Sequence, residues 1–327
     1  MTRSLAVIAL LTIASCGAAH AASAKWTTPR TSYGDPDLQG YWTNHTMLAL
    51  ERPKELGDKA FFTEKELAAY RDKEMHAKVT NFGASTAVHY SLDDYGLADD
   101  QIHLVHNLRT SIIIDPKNGR LPPLTPAAEK RQQAHLAFNK VHQFDSAKTR
   151  GLGERCIVWP NEGPPILPRG YNTHYQIVQT EGYVVILLEM IHDARVIPLD
   201  GRPHVDQKIR NWMGDSRGHW EGNTLVIETT NFNDRIHSDF VLGYAGTTKA
   251  LKVVERFTRT GPNRIDYEFT VDDPGTWTKP WTGSSPWERA DGPIFEYACN
   301  EGNYGLPNTL SGARAEERKA AAGKAGE

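Results

Sequence analysis

The sequence has few cysteines, and after its first two dozen residues it has no long apolar run. The features that it lacks exclude several classes of protein. No later run approaches the roughly 20 apolar residues of a transmembrane helix, so we expect no membrane span. Neither a G-x-G-x-x-G nor a Walker sequence occurs, and we expect no cofactor. With 37 basic residues against 40 acidic ones, the chain has no excess positive charge, and we expect no nucleic-acid partner.

Metal-site motifs are also absent, although the chain contains 13 histidines. No histidine pair has the i, i+4 spacing with an intervening glutamate, and no Cys-x-x-Cys occurs. His192, His204 and His219 fall in one region, and His103 and His106 fall in another. These are expected to be scattered surface or core-edge histidines, so we predict no metal site.

The first two dozen residues have the layout of a removable export signal. Arg3 supplies a positive n-region, residues 5–14 form an apolar run, and small residues continue to Ala24. Signal peptidase cleavage fits after Ala21 or Ala24, whereas the four residues ending at Cys16 resemble the lipobox of bacterial lipoproteins. We therefore expect a periplasmic or secreted protein, which is either free or anchored through a lipid on Cys16.

The export signal determines how many cysteines the folded protein keeps, because Cys16 is either discarded or lipidated. The folded protein then holds Cys156 and Cys299. An even pair in an oxidising compartment predicts a disulfide, which by chain entropy stabilises the fold by about 5 kcal/mol. Two buried free thiols are the alternative.

The remaining chain, residues 25–312, is expected to form one β-rich domain with helical insertions. Thr63 and Glu66 form a capping box, which predicts a helix over about 63–78. Thr125 and the proline after it predict a second helix over 126–142. Three apolar side chains of this second helix are expected to point inward: Leu136, Phe138 and Val141. Residues 313–327 are rich in alanine, glycine and charge, which predicts frayed helix or disorder.

From residue 171 onward, the apolar period changes to two, which is typical of β-strands. Residues 175–180 and 183–198 are joined by a Glu-Gly hairpin connection. Further strands are predicted over 110–115, 224–232, 251–259 and 264–272. Regularly spaced antiparallel strands with few helices predict a mainly β fold, either a single antiparallel barrel or a sandwich, with two or three peripheral helices.

Several motifs in the second half of the chain carry a family resemblance. They are WMGDSRG at 212–218, WEGNTL at 220–225 and EYACNEGNY at 296–304, with shorter matches at 192–195, 198–202 and 267–274. On these motifs the chain resembles a widespread family of secreted bacterial proteins. The resemblance covers most of the mature chain and implies export, but it implies no activity.

A second resemblance concerns the fold. Gly40-Tyr41-Trp42 looks like the opening-strand motif of calycin barrels such as lipocalins, and a meander of antiparallel strands follows it. This resemblance implies a calycin-like barrel. The helical insertions between residues 60 and 145 depart from a minimal lipocalin.

Ionisable residues in the strand predicted over 183–198 are the candidates for catalysis. The strand begins with apolar residues and then admits Glu189, His192, Asp193 and Arg195. Burial of such groups is costly unless they pair, so we expect Arg195 to pair with Asp193 or Glu189. The cluster is either a structural salt bridge or a catalytic site, in which a carboxylate or His192 acts as acid or base and Arg195 steadies an anion.

Candidate ligand contacts come from the motif regions. Trp277, Trp281 and Trp287 alternate with prolines, a composition too broken for a central strand, and they either line a site for a flat ligand or plug one end of the barrel. The loop after Cys299 is pinned by the predicted disulfide and makes a suitable pocket rim. The predicted ligand-binding residues are Tyr171, Asp215, Arg217, Trp220, Trp277, Trp281, Glu301 and Tyr304.

The residues around Ser216 match the G-x-S-x-G pattern of hydrolase nucleophile elbows. However, no helix is predicted after Gly218. A triad in the order serine, acid, distant histidine could use only His237, which lies close to Ser216 in sequence. The favoured interpretation is a Gly-rich turn in which Asp215 and Ser216 bond the backbone, with a serine hydrolase as the lesser alternative.

Two functional hypotheses follow. The first is an exported barrel that encloses a small, partly apolar or aromatic ligand, either as a binding protein or as a cofactor-independent acid/base enzyme of the isomerase, lyase or hydratase type. The second is a non-catalytic structural or interaction protein of the cell envelope.

Overall fold

The computed structural model describes residues 26–75, 103–159, 162–168, 172–235 and 246–324. Within these ranges, eleven strands form one antiparallel sheet that rolls into a nearly closed barrel, and three α-helices lie outside it. The prediction of a mainly β fold with an antiparallel barrel is confirmed. No helix in the described part of the chain is long and apolar enough to cross a membrane.

The strands follow one another around the barrel with few crossovers. They are β1 (Gly40–Thr43), β2 (Ile113–Asp115), β3 (His174–Thr180), β4 (Tyr183–Leu188), β5 (Ala194–Pro198), β6 (Asp215–Glu221), β7 (Thr224–Thr230), β8 (Lys252–Gly261), β9 (Arg264–Asp272), β10 (Trp281–Ser284) and β11 (Trp287–Arg289). Their order around the barrel is β5-β4-β3-β1-β11-β9-β8-β7-β6, and β10 pairs with both β9 and β2. The helices are α1 (Glu64–Met75), α2 (Pro126–His142) and α3 (Gly305–Lys324).

Alternation along the strands fills the barrel with apolar and aromatic side chains. In β9, Tyr267 and Phe269 are fully buried, whereas Asp266 and Glu268 face solvent, as the period of two predicts. Tyr175 stacks on Trp287 with a distance of 4.5 Å between ring centroids. The barrel therefore has a packed aromatic core rather than an open channel in its described part.

Side chains close the gap between β5 and β6, the two ends of the strand order. The Arg195 guanidinium lies 3.4 Å from Ser216 Oγ. Further along, Gly218 packs so closely that a Cβ there would lie 2.9 Å from Ile197 and 2.7 Å from Leu199. Because these contacts advance together along both strands, β5 and β6 run in the same direction. We call the end of the barrel at which β4 ends and β5 and β6 begin the upper end.

The strand predicted over 183–198 is two strands, so this prediction is wrong. β4 stops at Leu188, and residues 190–192 form a 3-10 turn before β5. Ile191 and His192 have φ values of 59° and 52°, which bend the chain back on itself. Glu189 and Asp193 therefore lie at the two ends of the turn, outside the strand that carries Arg195.

The segment with three tryptophans also departs from its prediction, because it contributes two strands. Trp281 begins β10 and Trp287 begins β11, and each is fully buried. Pro280 and Pro286 immediately precede these strands, where a missing N–H breaks no ladder bond.

The helices confirm their predicted starts. The Thr63 N–H donates to Glu66 at 2.8 Å, which completes the capping box of α1, and Thr125 Oγ1 accepts from Ala128 to cap α2. Residues 76–78 of the first predicted helix lie outside the described residues. The C-terminal segment is helical from Gly305.

The predicted inward face of α2 is wrong. Leu136, Phe138 and Val141 are 44%, 47% and 70% exposed, and the helix buries Ala128 instead. The helix docks through its first turns, where Arg131 donates to the Gly275 carbonyl. Periodicity shows an apolar stripe but not where a helix touches the sheet.

Candidate functional site

A fully buried ion pair lies in the middle of the barrel. Arg195 donates to both carboxylate oxygens of Glu255, at 3.1 and 2.5 Å, and the Tyr267 hydroxyl donates to the same carboxylate at 2.8 Å. The predicted pairing of Arg195 with Asp193 or Glu189 is therefore wrong. β8 lies across the barrel from β5, so only closure of the sheet brings Glu255 to Arg195.

This pair belongs to the core rather than to an open site. Burial raises the pKa of Tyr267 well above its usual range, and the charge of Glu255 raises it further. Residues 162–168 enter the barrel next to it, and the backbone N–H of fully buried Ile166 donates to the Tyr267 hydroxyl at 2.9 Å. Protein groups thus surround the ion pair, and a second set of buried polar groups lies nearer the upper end.

Three acidic residues lie at the upper end, two in the 189–193 turn and one in the segment that begins at residue 162, and we call Glu162, Glu189 and Asp193 the acid cluster. Glu189 is fully buried, and its carboxylate accepts from the Asn172 amide at 2.6 Å and from the Phe295 N–H at 3.1 Å. The Glu189 carboxylate is therefore held in place by neighbours on two different segments.

Glu162 is fully buried, and only one of its two carboxyl oxygens has a hydrogen-bond partner in the described part of the chain. Its Oε2 accepts from the Trp159 N–H at 2.5 Å, whereas its Oε1 has no hydrogen-bond partner within the described ranges. Burial raises the pKa of Glu162 to about 8, the hydrogen bond from Trp159 lowers it, and the charge of Asp193 raises it. Glu162 thus holds a proton at neutral pH.

Asp193 differs from Glu162 in exposure, because it is only half-buried. Burial raises the pKa of Asp193, and the neighbouring His192 lowers it. The acid cluster therefore contains two enclosed carboxyl groups, those of Glu162 and Glu189, and one that solvent reaches, that of Asp193, whose charge raises the pKa of Glu162.

Further buried polar groups face the acid cluster. Burial raises the pKa of Tyr175 well above its usual range, its hydrogen bond to Asn44 lowers it, and the charges of Glu189 and Glu162 raise it. The Asn44 amide nitrogen and both ring nitrogens of His174 are buried without a hydrogen bond in the described part of the chain. His174 Nδ1 lies 3.6 Å from Glu189. Buried polar atoms without partners are rare, so a polar ligand would gain most here.

The predicted disulfide between Cys156 and Cys299 is confirmed, with a Cα–Cα distance of 5.7 Å. It fastens segment 290–303 over the upper end. His192 is exposed, and its Nδ1 bonds the Tyr297 carbonyl of that segment at 2.8 Å. His192 therefore connects the 189–193 turn to the segment that covers Glu189.

Three of the four residues predicted to be catalytic, Glu189, His192 and Asp193, come together at the upper end, and Arg195 lies below them in the core. Glu162, His174 and Glu255 were not predicted from the sequence. Glu162 had a local signal, because it is a single acid in front of a run of glycine, proline and apolar residues. Glu255 had none, because it is one of several charges in an alternating strand.

The predicted ligand-binding residues are dispersed. Arg217 pairs with Asp215 at 2.7 Å, and His204 contacts Asp215 at 2.8 Å, on β6 and the loop before it. Trp220 packs against the core from a half-buried position, and Trp277 and Trp281 are buried in it. Glu301 and Tyr304 are exposed beyond the disulfide, and Tyr171 lies outside the described residues.

Ser216 lies inside β6, so the predicted Gly-rich turn is wrong. Its hydroxyl contacts Thr229 Oγ1 at 2.9 Å and the Arg195 guanidinium, and Gly218 continues the same strand. A nucleophile elbow needs a strand-to-helix turn at this position.

No protein-family model matches the chain, and no curated protein matches it significantly.

Proposed function

We propose that this is an exported β-barrel protein whose acid cluster carries out cofactor-independent acid/base chemistry on a small, partly apolar molecule. The carrying observation is Glu162, a fully buried carboxyl group with an unpartnered Oε1 in the described part of the chain. A carboxylic acid that is protonated at neutral pH is a general acid. The N-terminal export pattern and the disulfide support the extracytoplasmic location.

The members of the acid cluster have different roles in this chemistry. Asp193 is the base that removes a proton from a carbon or from water, and Glu162 delivers a proton to the neighbouring carbon or to a leaving hydroxyl group. The negative charge of Asp193 raises the pKa of Glu162. When Asp193 takes up its proton, this effect disappears and Glu162 becomes a stronger acid. Glu189 and His174 are positioning residues.

This division fits isomerisation, elimination and hydration, since each reaction removes one proton and delivers another. The partly apolar character of the ligand is inferred from the aromatic side chains below the acid cluster, among them Tyr175 and Trp287.

Proton exchange with solvent tests the proposal for any substrate of this class. Purified mature protein is incubated with a small-molecule extract of the cell envelope in D₂O, and deuterium incorporation is followed by mass spectrometry. We expect protein-dependent labelling of at least one compound. Glu162→Gln and Asp193→Asn should abolish it, whereas Lys130→Gln, a change at an exposed position of α2, should retain it. Equal labelling by the wild type and Glu162→Gln would contradict the proposal.

The second candidate function is a non-catalytic envelope protein. Its support is the packed core, in which aromatic side chains and residues 162–168 fill the described part of the barrel. In that case Glu162→Gln would raise the free energy of unfolding at pH 8, while the wild-type protein would label no compound in D₂O.

A further inference from the structure

A cleft of about 500 Å³ opens beside the start of β6, and it lies outside the acid cluster. Its walls come from the loop before β6, the loop after β7 and the loop before β8. They contribute Trp212, Arg235 and Lys249 among others. The volume lies in the range that small-molecule sites occupy, roughly 300 to 1,000 Å³.

The cleft has a preformed floor. The Arg210 guanidinium donates to three backbone carbonyls, those of Gln207 at 2.6 Å, Lys249 at 2.7 Å and Phe232 at 3.3 Å. The backbone N–H of Asn233 donates to the Asn211 carbonyl at 3.0 Å and joins two of the walls. Most of the hydrogen-bonding capacity of Arg210 is therefore used to hold the loops together.

The remaining charges of the cleft are available to a ligand. Arg235 is exposed, and the hydrogen bond described for it comes from its backbone N–H, which donates to Asn233 Oδ1 at 3.0 Å. Lys249 Nζ lies 3.5 Å from Asp234, and both side chains are more than half exposed, so this pairing is weak. One exposed guanidinium and one weakly paired ammonium group thus line the cleft together with half-buried Trp212.

We propose that this cleft binds the carboxylate of a planar, aromatic small molecule. A guanidinium matches a carboxylate through two parallel hydrogen bonds, and an indole offers a flat apolar wall. Three cationic side chains and one acid, Asp234, line the cleft, so it suits an anion, and the flat indole wall suits a planar carboxylate better than a tetrahedral phosphate.

This site also narrows the substrate class, an extension that rests on the proposed function. β5 and β6 begin side by side, as the contact of Arg195 with Ser216 shows. The turn at 189–193 and the loop at 210–214 are therefore neighbours on the rim of the upper end. If the substrate of the acid cluster is anchored in the cleft, that substrate carries a carboxylate.

Isothermal titration calorimetry with benzoate tests the site, with benzamide as the neutral isostere and inorganic phosphate as the tetrahedral anion. We expect saturable benzoate binding and weaker binding of the other two. Arg235→Gln should weaken benzoate binding about 10-fold or more, because a charged hydrogen-bond donor is lost. Lys249→Gln should weaken it less, and Lys130→Gln, which removes an exposed charge on α2, should leave it unchanged.

Benzoate binding that does not saturate at millimolar concentration, or that is equal in Arg235→Gln and the wild type, would overturn the site. Phosphate binding as tight as that of benzoate would overturn the ligand class. Failure of the acid cluster would appear as labelling in D₂O that is unaffected by Glu162→Gln, and failure of the cleft would appear in the calorimetry.

Discussion

At the scale of single residues, Glu162 makes the stability of the protein depend on pH. Its pKa is about 8 in the folded protein, against an ordinary value of 4.5. Between these values the folded state retains a proton that the unfolded state releases, so the stabilisation is complete below about pH 4.5 and is lost as the pH rises through 8.

We therefore expect wild-type stability to fall by roughly 2 to 5 kcal/mol from pH 5 to pH 8 through this group. Urea denaturation at both pH values measures the change. In Glu162→Gln this part of the slope should vanish, whereas Glu129→Gln, at an exposed position of α2, should keep it. An identical fall in Glu162→Gln and the wild type would show that Glu162 is ionised in the folded protein.

Glu255 supports the barrel through its ion pair with Arg195. Glu255→Gln leaves a buried guanidinium without its charge partner, so we expect a loss of about 3 to 5 kcal/mol in the free energy of unfolding, measured by urea denaturation. Glu221 is the matched control, because it pairs with Arg256 on the exposed outer face. Glu221→Gln should change stability little. Comparable effects of the two substitutions would contradict the structural role of the buried pair.

At the scale of elements, the disulfide holds segment 290–303 over Glu189. Its two cysteines are 143 residues apart, so replacing both by serine should destabilise the fold by about 5 kcal/mol. The Phe295 N–H, which donates to Glu189, should also exchange with solvent much faster. Hydrogen exchange read by mass spectrometry measures this. Unchanged protection of Phe295 in the serine variant would mean that the segment is held without the disulfide.

Elements whose signal is local were predictable from the sequence. The capping residues marked the starts of α1 and α2, and the alternation of residues 265–271 determined the two faces of β9. The break between β4 and β5 was not predictable, because it depends on Ile191 and His192 in a conformation that such residues rarely adopt. The exposed stripe of α2 depends on where the helix docks, which periodicity does not encode.

At the scale of the whole molecule, closure of the barrel explains which site residues were predictable. Glu189, His192 and Asp193 were found together because they are neighbours in sequence. Glu162 reaches them through a separate segment, and Glu255 reaches Arg195 only across the closed sheet. A single sequence carries no signal for such pairs.

Closure itself depends on the close approach of β5 and β6 at Gly218. A methyl group there would lie 2.7 Å from Leu199, so Gly218→Ala should lower the free energy of unfolding by roughly 1 to 3 kcal/mol. Gly312 in α3 has open space around its Cα and is the control, since alanine there should be neutral or stabilising. Thermal denaturation of both variants measures the difference. A neutral Gly218→Ala would contradict the close contact between the two strands.

The central claim is that the upper end holds a carboxylic acid that keeps its proton at neutral pH. Carbon-13 NMR of protein labelled at the glutamate carboxyl carbons, titrated from pH 4 to pH 10, tests it most directly. We predict one carboxyl resonance with a midpoint near pH 8 that is missing from Glu162→Gln. Titration of every glutamate below about pH 5.5, within the ordinary range of this side chain, would contradict the claim.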